Sequence, residues 1–318
     1  MKILLPEALR EALEPQVRAA APGVEMVWFD AQGDPDGDIA DAEVLMRWFF
    51  DAQTLNGLVE RMPALRWLHI PRAGVDSSLV PAVMQRDILL TNSAGVHAVP
   101  ISEFVMLFAL AHAKRADHLR EMQSARHWGG RDLAVAELAE RTMLIIGMGQ
   151  IGQAIAARAV AFGMRVVGSR RRVAPVSGIH RVVAEGGWRS LLGEADYVVI
   201  AAPLTPKTHG MFGAAEFAAM RPDAYLINIA RGEIVDEPAL IAALGRGQIA
   251  GAGLDVFATE PLPADSPLWG LPNVFVTPHI SWNSPEVRLR ILALFIDNLR
   301  RYLLGEPLAN IVDKHAGY

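Results

Sequence analysis

The run TMLIIGMGQIGQAIAARAVAFGM, from Thr142 to Met164, constrains this chain more than any other stretch. Five mostly apolar residues pass directly into Gly147-x-Gly149-x-x-Gly152, and an alanine-rich segment with helical spacing follows. A strand that turns at once into a helix returns to its sheet in parallel, which commits the domain to βα repeats. The glycines have separate tasks in such a turn. The first makes the tight bend, the second lets a pyrophosphate approach the backbone, and the third lets helix and strand pack closely. The anion then sits on amides at the helix N-terminus, where Gln150 and Ile151 stand and the dipole favours negative charge. A chain with 27 glycines produces this spacing by chance. The strand before it, the helix after it and a further β-like run about twenty residues on make it a dinucleotide-binding unit.

The same alternation extends along the chain. KILL (Lys2–Leu5), VEMVWF (Val24–Phe29), EVLMRW (Glu43–Trp48), LRWLHI (Leu65–Ile70) and DILLTN (Asp87–Asn92) read as buried strands, separated by segments such as PEALREALEPQVRAAA. From Thr142 a second series follows: TMLIIG, MRVVGS, YVVIAAP, AYLINIA, GAGLDVF and VFVTPH. The pattern predicts an α/β protein of two Rossmann-like or flavodoxin-like domains, each with a parallel sheet, and an inter-domain cleft. Between the two series, PISEFVMLFALAHAKRADHLREMQ is predicted as one unbroken helix opening on Pro100. Such a helix can link two lobes or pack against a second subunit. Beyond Ser284, the amphipathic PEVRLRILALFIDNLRRYLLG is predicted to fold back onto the first lobe. The expected domains are residues 1–98 plus 285–318 for the substrate and 99–284 for the dinucleotide.

Composition narrows the function. At 318 residues, 52% hydrophobic and 20% charged, the chain can build two proper cores and has little room for disorder. A net charge of −5 argues against a nucleic-acid partner. The absence of cysteine rules out disulfides, zinc–thiolate centres and a thiol nucleophile, and suits a reducing cytoplasm; no metal site is expected. MKILLPEALREAL turns charged too soon for a signal peptide. The uncharged candidate for a membrane span, Thr142 to Ala157, is interrupted by glycines and too short. A soluble cytoplasmic protein with no membrane partner is expected.

In this acidic chain the stretch MRVVGSRRR, Met164 to Arg172, needs a local reason. In a NAD-binding unit the second strand ends in an acid that holds the adenine ribose hydroxyls; here Arg170 occupies that place. An arginine fork binds a 2′-phosphate that an aspartate would repel. Ser169, Arg170 and Arg171 are therefore candidates for that phosphate, with Arg172 solvated. NADP(H) is the favoured cofactor and NAD(H) stays possible. The other reading is a solvated turn with arginines for solubility.

Three further motifs occur in order, each closing a strand: NIARGEIVDEPALIAAL, GAGLDVFATEPLP and VFVTPHIS. Together with TNSAGVHAVPISEFV and the glycine loop, they make the chain resemble the D-isomer-specific 2-hydroxyacid dehydrogenase family over essentially its whole length. The resemblance implies a catalytic set of Arg231, Glu260 and His279. Arg231 would hold the substrate carboxylate and polarise the carbonyl. His279 would be the acid in reduction and the base in oxidation, and Glu260 would orient it and favour its protonated form. Taken singly, these residues also read as an ion pair, a turn residue and a strand cap. The backbone of Ala73 and Gly74 in RAGVDSS would bind the substrate carboxylate, or make a tight turn. Pro203 and Thr208 of AAPLTPKTHG, with Ala230, would lie beside the cofactor. Asp255 would touch the nicotinamide carboxamide, or cap its strand. Where the family often has small residues this chain has Trp282, which either walls the substrate pocket or packs at the domain junction; Trp48 and Arg72 are further wall candidates. The implied function is NADPH-dependent reduction of a small 2-oxoacid such as glyoxylate or hydroxypyruvate to the D-2-hydroxyacid, by a homodimer joined through the cofactor domain. The alternatives are an NAD-linked D-2-hydroxyacid dehydrogenase and a non-catalytic, NAD(P)-sensing corepressor-like protein.

Overall fold

The structure, a computed structural model, describes residues 1–130, 133–171, 173–174, 176 and 178–317. It divides into two compact units, Met1–His97 with Ser284–Tyr318, and Ala98–Asn283.

In the first unit, strands β1 (Lys2–Pro6), β2 (Glu25–Phe29), β3 (Ala42–Met46), β4 (Trp67–His69) and β5 (Leu89–Thr91) form a parallel sheet in the order β2-β1-β3-β4-β5. Successive side chains alternate between faces, and here both faces are buried. Ile3, Leu5, Val44, Met46 and Trp67 meet α1 (Arg10–Ala20) and α9 (Pro285–Leu304) through Leu13, Val17, Ile291, Phe295 and Leu299. Leu4, Leu45, Leu68 and Leu90 meet α2 (Ala52–Glu60) and α3 (Pro81–Met84). The last long helix of the chain thus completes the first core. Trp67 stacks between Phe295 and Tyr302 of α9, ring centroids 5.4 Å from each.

The second unit carries seven parallel strands: β6 (Thr142–Ile146), β7 (Arg165–Ser169), β8 (Arg181–Val183), β9 (Tyr197–Ile200), β10 (Tyr225–Asn228), β11 (Gly251–Leu254) and β12 (Val274–Val276). Their order is β12-β11-β10-β9-β6-β7-β8, so the winding reverses between β6 and β9. Loops at the carboxyl ends of strands beside such a reversal are where open α/β sheets hold ligands. One face packs on α4 (Ala98–Lys114) and α6 (Gln150–Ala161) through Val105, Phe108, Ile155 and Ala159. The other packs on α7 (Ala214–Ala219) and α8 (Glu237–Gly245) through Phe217, Leu240 and Leu244.

Two expectations about elements are corrected. The long helix is not continuous: α4 ends at Lys114, Arg115 is left-handed at φ 51° and ψ 50°, and α5 (Ala116–Ser124) sets off anew. The break falls where burial stops, because Ala113 is the last buried residue of α4 and α5 buries none. The helix also starts at Ala98, with Pro100 inside the first turn, where its missing N–H is not needed. Strand β8 was not anticipated. It is a three-residue edge strand beginning on an exposed arginine, with no apolar run to mark it. Among the described residues no helix is long and apolar enough to cross a membrane.

Candidate active site

The glycine loop leaves β6 and is fastened to the end of β7, since Gly147 N and Met148 N both donate to the Ser169 carbonyl, at 3.2 and 2.9 Å. Gly147 and Gly152 are each required for a steric reason of their own. Gly147 has φ +107°, and a Cβ there would lie 2.6 Å from the backbone of Ala201 and Ala202 beyond β9. At Gly152 a Cβ would collide with the Gly147 carbonyl, so α6 can rest on the loop only through a glycine. Around Gly149 there is open space. The first helical amide bonded within α6 is Gln153, on Gly149 O, so those of Gln150, Ile151 and Gly152 face outward along the axis. An open, backbone-lined approach at a helix N-terminus fits a pyrophosphate.

The same two bonds fix the basic cluster beside this loop. Ser169 is buried, Arg170 follows it half-buried with its amide on Val183 O, and Arg171 is exposed. Arg172 lies outside the described residues. The two described arginines, rather than the serine, therefore offer polar groups toward solvent at the end of β7. Past β9, the Thr208 hydroxyl donates to Pro203 O at 2.7 Å and accepts from Thr205 N at 2.8 Å, which closes the loop that carries Pro203.

Arg231 is set by a turn that the end of β10 builds. Asn228 is buried; its Oδ1 accepts from Ala230 N and its Nδ2 donates to Arg231 O, at 3.1 and 3.0 Å. Arg231 Nη1 donates to Ala230 O. A Cβ on Gly232 would overlap the Phe257 backbone, so the turn reaches the loop after β11 only because that residue is glycine. On that loop Glu260 Oε1 accepts from Phe257 N at 3.0 Å, and Oε2 lies 2.6 Å from His279 Nδ1. Burial pushes the Glu260 carboxyl up, but His279, the Phe257 amide and the nearby Arg231 charge outweigh it and leave the group below its ordinary value. An ionised carboxylate offers only lone pairs, so His279 Nδ1 carries a proton and Nε2 is the nitrogen left for exchange with a substrate. Arg231, Glu260 and His279 thus stand at the ends of three adjacent strands, β10, β11 and β12, as one cation, one carboxylate and one imidazole.

Asp255 follows the end of β11 and bonds to the turn after β12. It is fully buried, and its carboxylate accepts from the Thr277 hydroxyl and from the amides of Ile280 and Ser281. Trp282 packs against the core of this unit, and its Nε1 donates to His279 O at 2.9 Å.

In the first unit the remaining candidates gather where strands end. Trp48, after β3, meets Phe49 edge-on at 4.8 Å, and the Arg72 guanidinium, after β4, sits 5.3 Å over the Phe49 ring. The Ala73–Gly74 loop is pinned by Asn92 Nδ2 on Ala73 O at 2.7 Å. Sequence reading missed Arg47. Buried between these loops, it donates to Ser77 O, to the Ser78 hydroxyl and to Phe50 O. A lone arginine at the end of an apolar run was its only signal. Asn228 was missed too, although an asparagine closing a strand two residues before a glycine-bearing turn is an Asx-turn pattern.

Residues 106–281 match the family model described as "D-isomer specific 2-hydroxyacid dehydrogenase, NAD binding domain". Glyoxylate/hydroxypyruvate reductase B of Citrobacter koseri is 39% identical over 267 residues, covering 82% of this chain and 82% of that protein. Among solved structures, a D-isomer specific 2-hydroxyacid dehydrogenase from Xanthobacter autotrophicus Py2 in complex with NADPH and MES gives a TM-score of 0.87 at 30% identity, over 100% of this chain and 99% of the other. An NADPH-dependent glyoxylate/hydroxypyruvate reductase from Sinorhizobium meliloti, in complex with NADP and sulfate, gives 0.85 at 31% identity over 100% and 99%.

Proposed function

The chain belongs to the D-isomer-specific 2-hydroxyacid dehydrogenase family, and from that premise we propose that it is an NADPH-dependent reductase of a small 2-oxoacid, glyoxylate or hydroxypyruvate in kind, yielding the D-2-hydroxyacid. The observation that carries the reading is the 2.6 Å pairing of His279 Nδ1 with Glu260, on strand ends adjacent to that of Arg231.

When bound, the reduced nicotinamide supplies the hydride that goes to the carbonyl carbon. The protein's residues do the rest. Arg231 receives the substrate carboxylate on its planar, permanently charged fork and draws electron density from the carbonyl. The amides of Ala73 and Gly74 are assigned to the same carboxylate, and Trp48 and Arg72 to the surroundings of the substrate. His279 gives a proton from Nε2 to the carbonyl oxygen as charge builds there, and Glu260 stabilises the imidazolium that precedes the transfer. In the oxidative direction the same nitrogen takes the proton back.

The pyrophosphate is assigned to the amides of Gly149, Gln150, Ile151 and Gly152, with Gly147 shaping the turn. Pro203, Thr208 and Ala230 are placed beside the cofactor, and the 2′-phosphate is given to Arg170 and Arg171, with Ser169 setting the end of β7. Changing Arg170 to Asp should move the NADPH-to-NADH ratio of kcat/KM toward NADH by on the order of 100-fold, because a charge-assisted fork is exchanged for a repelling carboxylate. An unchanged ratio would remove Arg170 from the phosphate site.

The second unit is also assigned the homodimer contact. Leu107 on α4, Leu119 on α5 and the fully exposed Trp128 leave apolar surface there that the chain does not cover. Light scattering should report twice the chain mass; a single chain mass at micromolar concentration would contradict the assignment.

A further inference from the structure

Beyond α9 the chain turns back along β5, the edge strand of the first sheet. Val312 N donates to Leu90 O at 2.8 Å, Ile311 forms an antiparallel bridge with Thr91, and Asn92 N donates to Asn310 O at 3.1 Å. These backbone bonds and the buried Val312 are enough to cover a sheet edge. Asn310 adds a second set of bonds. Its Nδ2 donates to Asn92 O at 3.3 Å and to Ala94 O at 2.9 Å, so it clasps the chain on both sides of Ser93. Its φ is +57°, in the left-handed region that asparagine tolerates better than most residues with a Cβ. The turn is fastened from behind by Asn298 of α9, which is fully buried. That side chain accepts from Ala309 N at 2.7 Å and donates to Ala309 O at 3.1 Å.

The stretch that Asn310 clasps holds in turn the loop after β4. Asn92 is buried, and its Nδ2 donates to Ala73 O at 2.7 Å; Ser93 N donates to Arg72 O at 2.9 Å. Those two carbonyls belong to the same peptide planes as the amides of Ala73 and Gly74. In a trans peptide the N–H points opposite to its C=O. Holding Arg72 O and Ala73 O on the β5 side therefore turns both N–H groups the other way.

We infer that residues 309–312 are a strap that positions the substrate loop: Asn310 fixes residues 92–94, and through them the direction of the Ala73 and Gly74 amides. This role rests on the proposed assignment of those amides to the substrate carboxylate for its kinetic consequence, but not for its structural one.

The test uses the intact protein and the variants N310G, N92A and their combination, read in two ways. Glycine at 310 keeps the left-handed backbone and loses the side-chain bonds. The first measurement is hydrogen exchange by mass spectrometry. Residues 70–78 should exchange about fivefold faster in N310G and in N92A, the worth of one hydrogen bond, while the second unit exchanges like the parent. The second is kinetics with glyoxylate or hydroxypyruvate and NADPH. KM for the 2-oxoacid should rise about fivefold in N310G and about tenfold in N92A, with kcat and the Kd of NADPH within about twofold of the parent. Because Asn310 acts through residues 92–94, N310G added to N92A should raise KM by no more than about twofold further. Parental exchange of residues 70–78 in N310G overturns the strap, as does parental KM in an active enzyme. Fully additive effects in the double variant overturn it too. It equally fails if all lost activity is matched by folded protein lost by circular dichroism, the folded remainder turning over like the parent. A parent that reduces no 2-oxoacid would sink the proposed reaction, and the exchange of residues 70–78 would then decide the strap.

Discussion

Replacing His279 with alanine is expected to lower kcat for 2-oxoacid reduction by 100- to 10,000-fold, the usual range for removing a positioned general acid, with NADPH affinity nearly unchanged. The reason lies in the division of labour within the second unit. The groups assigned to the cofactor follow β6, β7, β9 and β10, whereas His279 follows β12 and its side chain is bonded to Glu260. Removing the imidazole therefore takes away the proton donor and leaves the glycine loop and Arg170 in place. Rapid-mixing fluorescence of NADPH separates binding from turnover. Equal turnover in mutant and parent would end the acid–base assignment.

Arg231→Ala should lose still more in kcat/KM, on the order of 1,000-fold or greater, because one side chain is asked both to bind the substrate carboxylate and to polarise the carbonyl. The loss should appear in both KM and kcat, in contrast to the kcat-dominated loss at His279. Arg231→Lys should recover only part of it, since an ammonium is a point charge and cannot make the paired bonds of a fork. The turn that presents Arg231 is built from Asn228 and Gly232, so the alanine variant should stay folded. An Arg231→Ala enzyme with parental kcat/KM would remove this residue from the substrate.

Much of this architecture was legible in the residues, for a physical reason. Strands buried on both faces read as near-continuous apolar runs, and Lys2–Leu5, Glu43–Trp48 and Thr142–Ile146 each announce themselves that way. The glycine loop was legible because Gly147 and Gly152 answer to steric demands at the neighbouring strand end and within the loop, and Gly149 leaves the approach to the helix N-terminus open. The break at Arg115 was not, since arginine is a good helix former and the cause lies in where the core ends. Strand β8 was hidden by its three-residue length and edge position. At the site, the motif order pointed to Arg231, Glu260 and His279, and their grouping at adjacent strand ends follows from the sheet order. What the chain order concealed was support from a distance. Asp255 holds residues 22 to 26 positions away, and Gly232 is needed because Phe257 passes beside it. Such demands become visible only once β10, β11 and β12 lie side by side.

In the proposed reaction, hydride from NADPH and a proton from His279 reduce a small 2-oxoacid. The most direct measurement is kcat/KM of the purified protein for glyoxylate and for hydroxypyruvate, each with NADPH and with NADH. Turnover of at least one of the two is expected, with NADPH preferred by about tenfold or more, roughly the value of one charge-assisted contact to the 2′-phosphate. Failure to reduce either 2-oxoacid, or a preference for NADH, would contradict it.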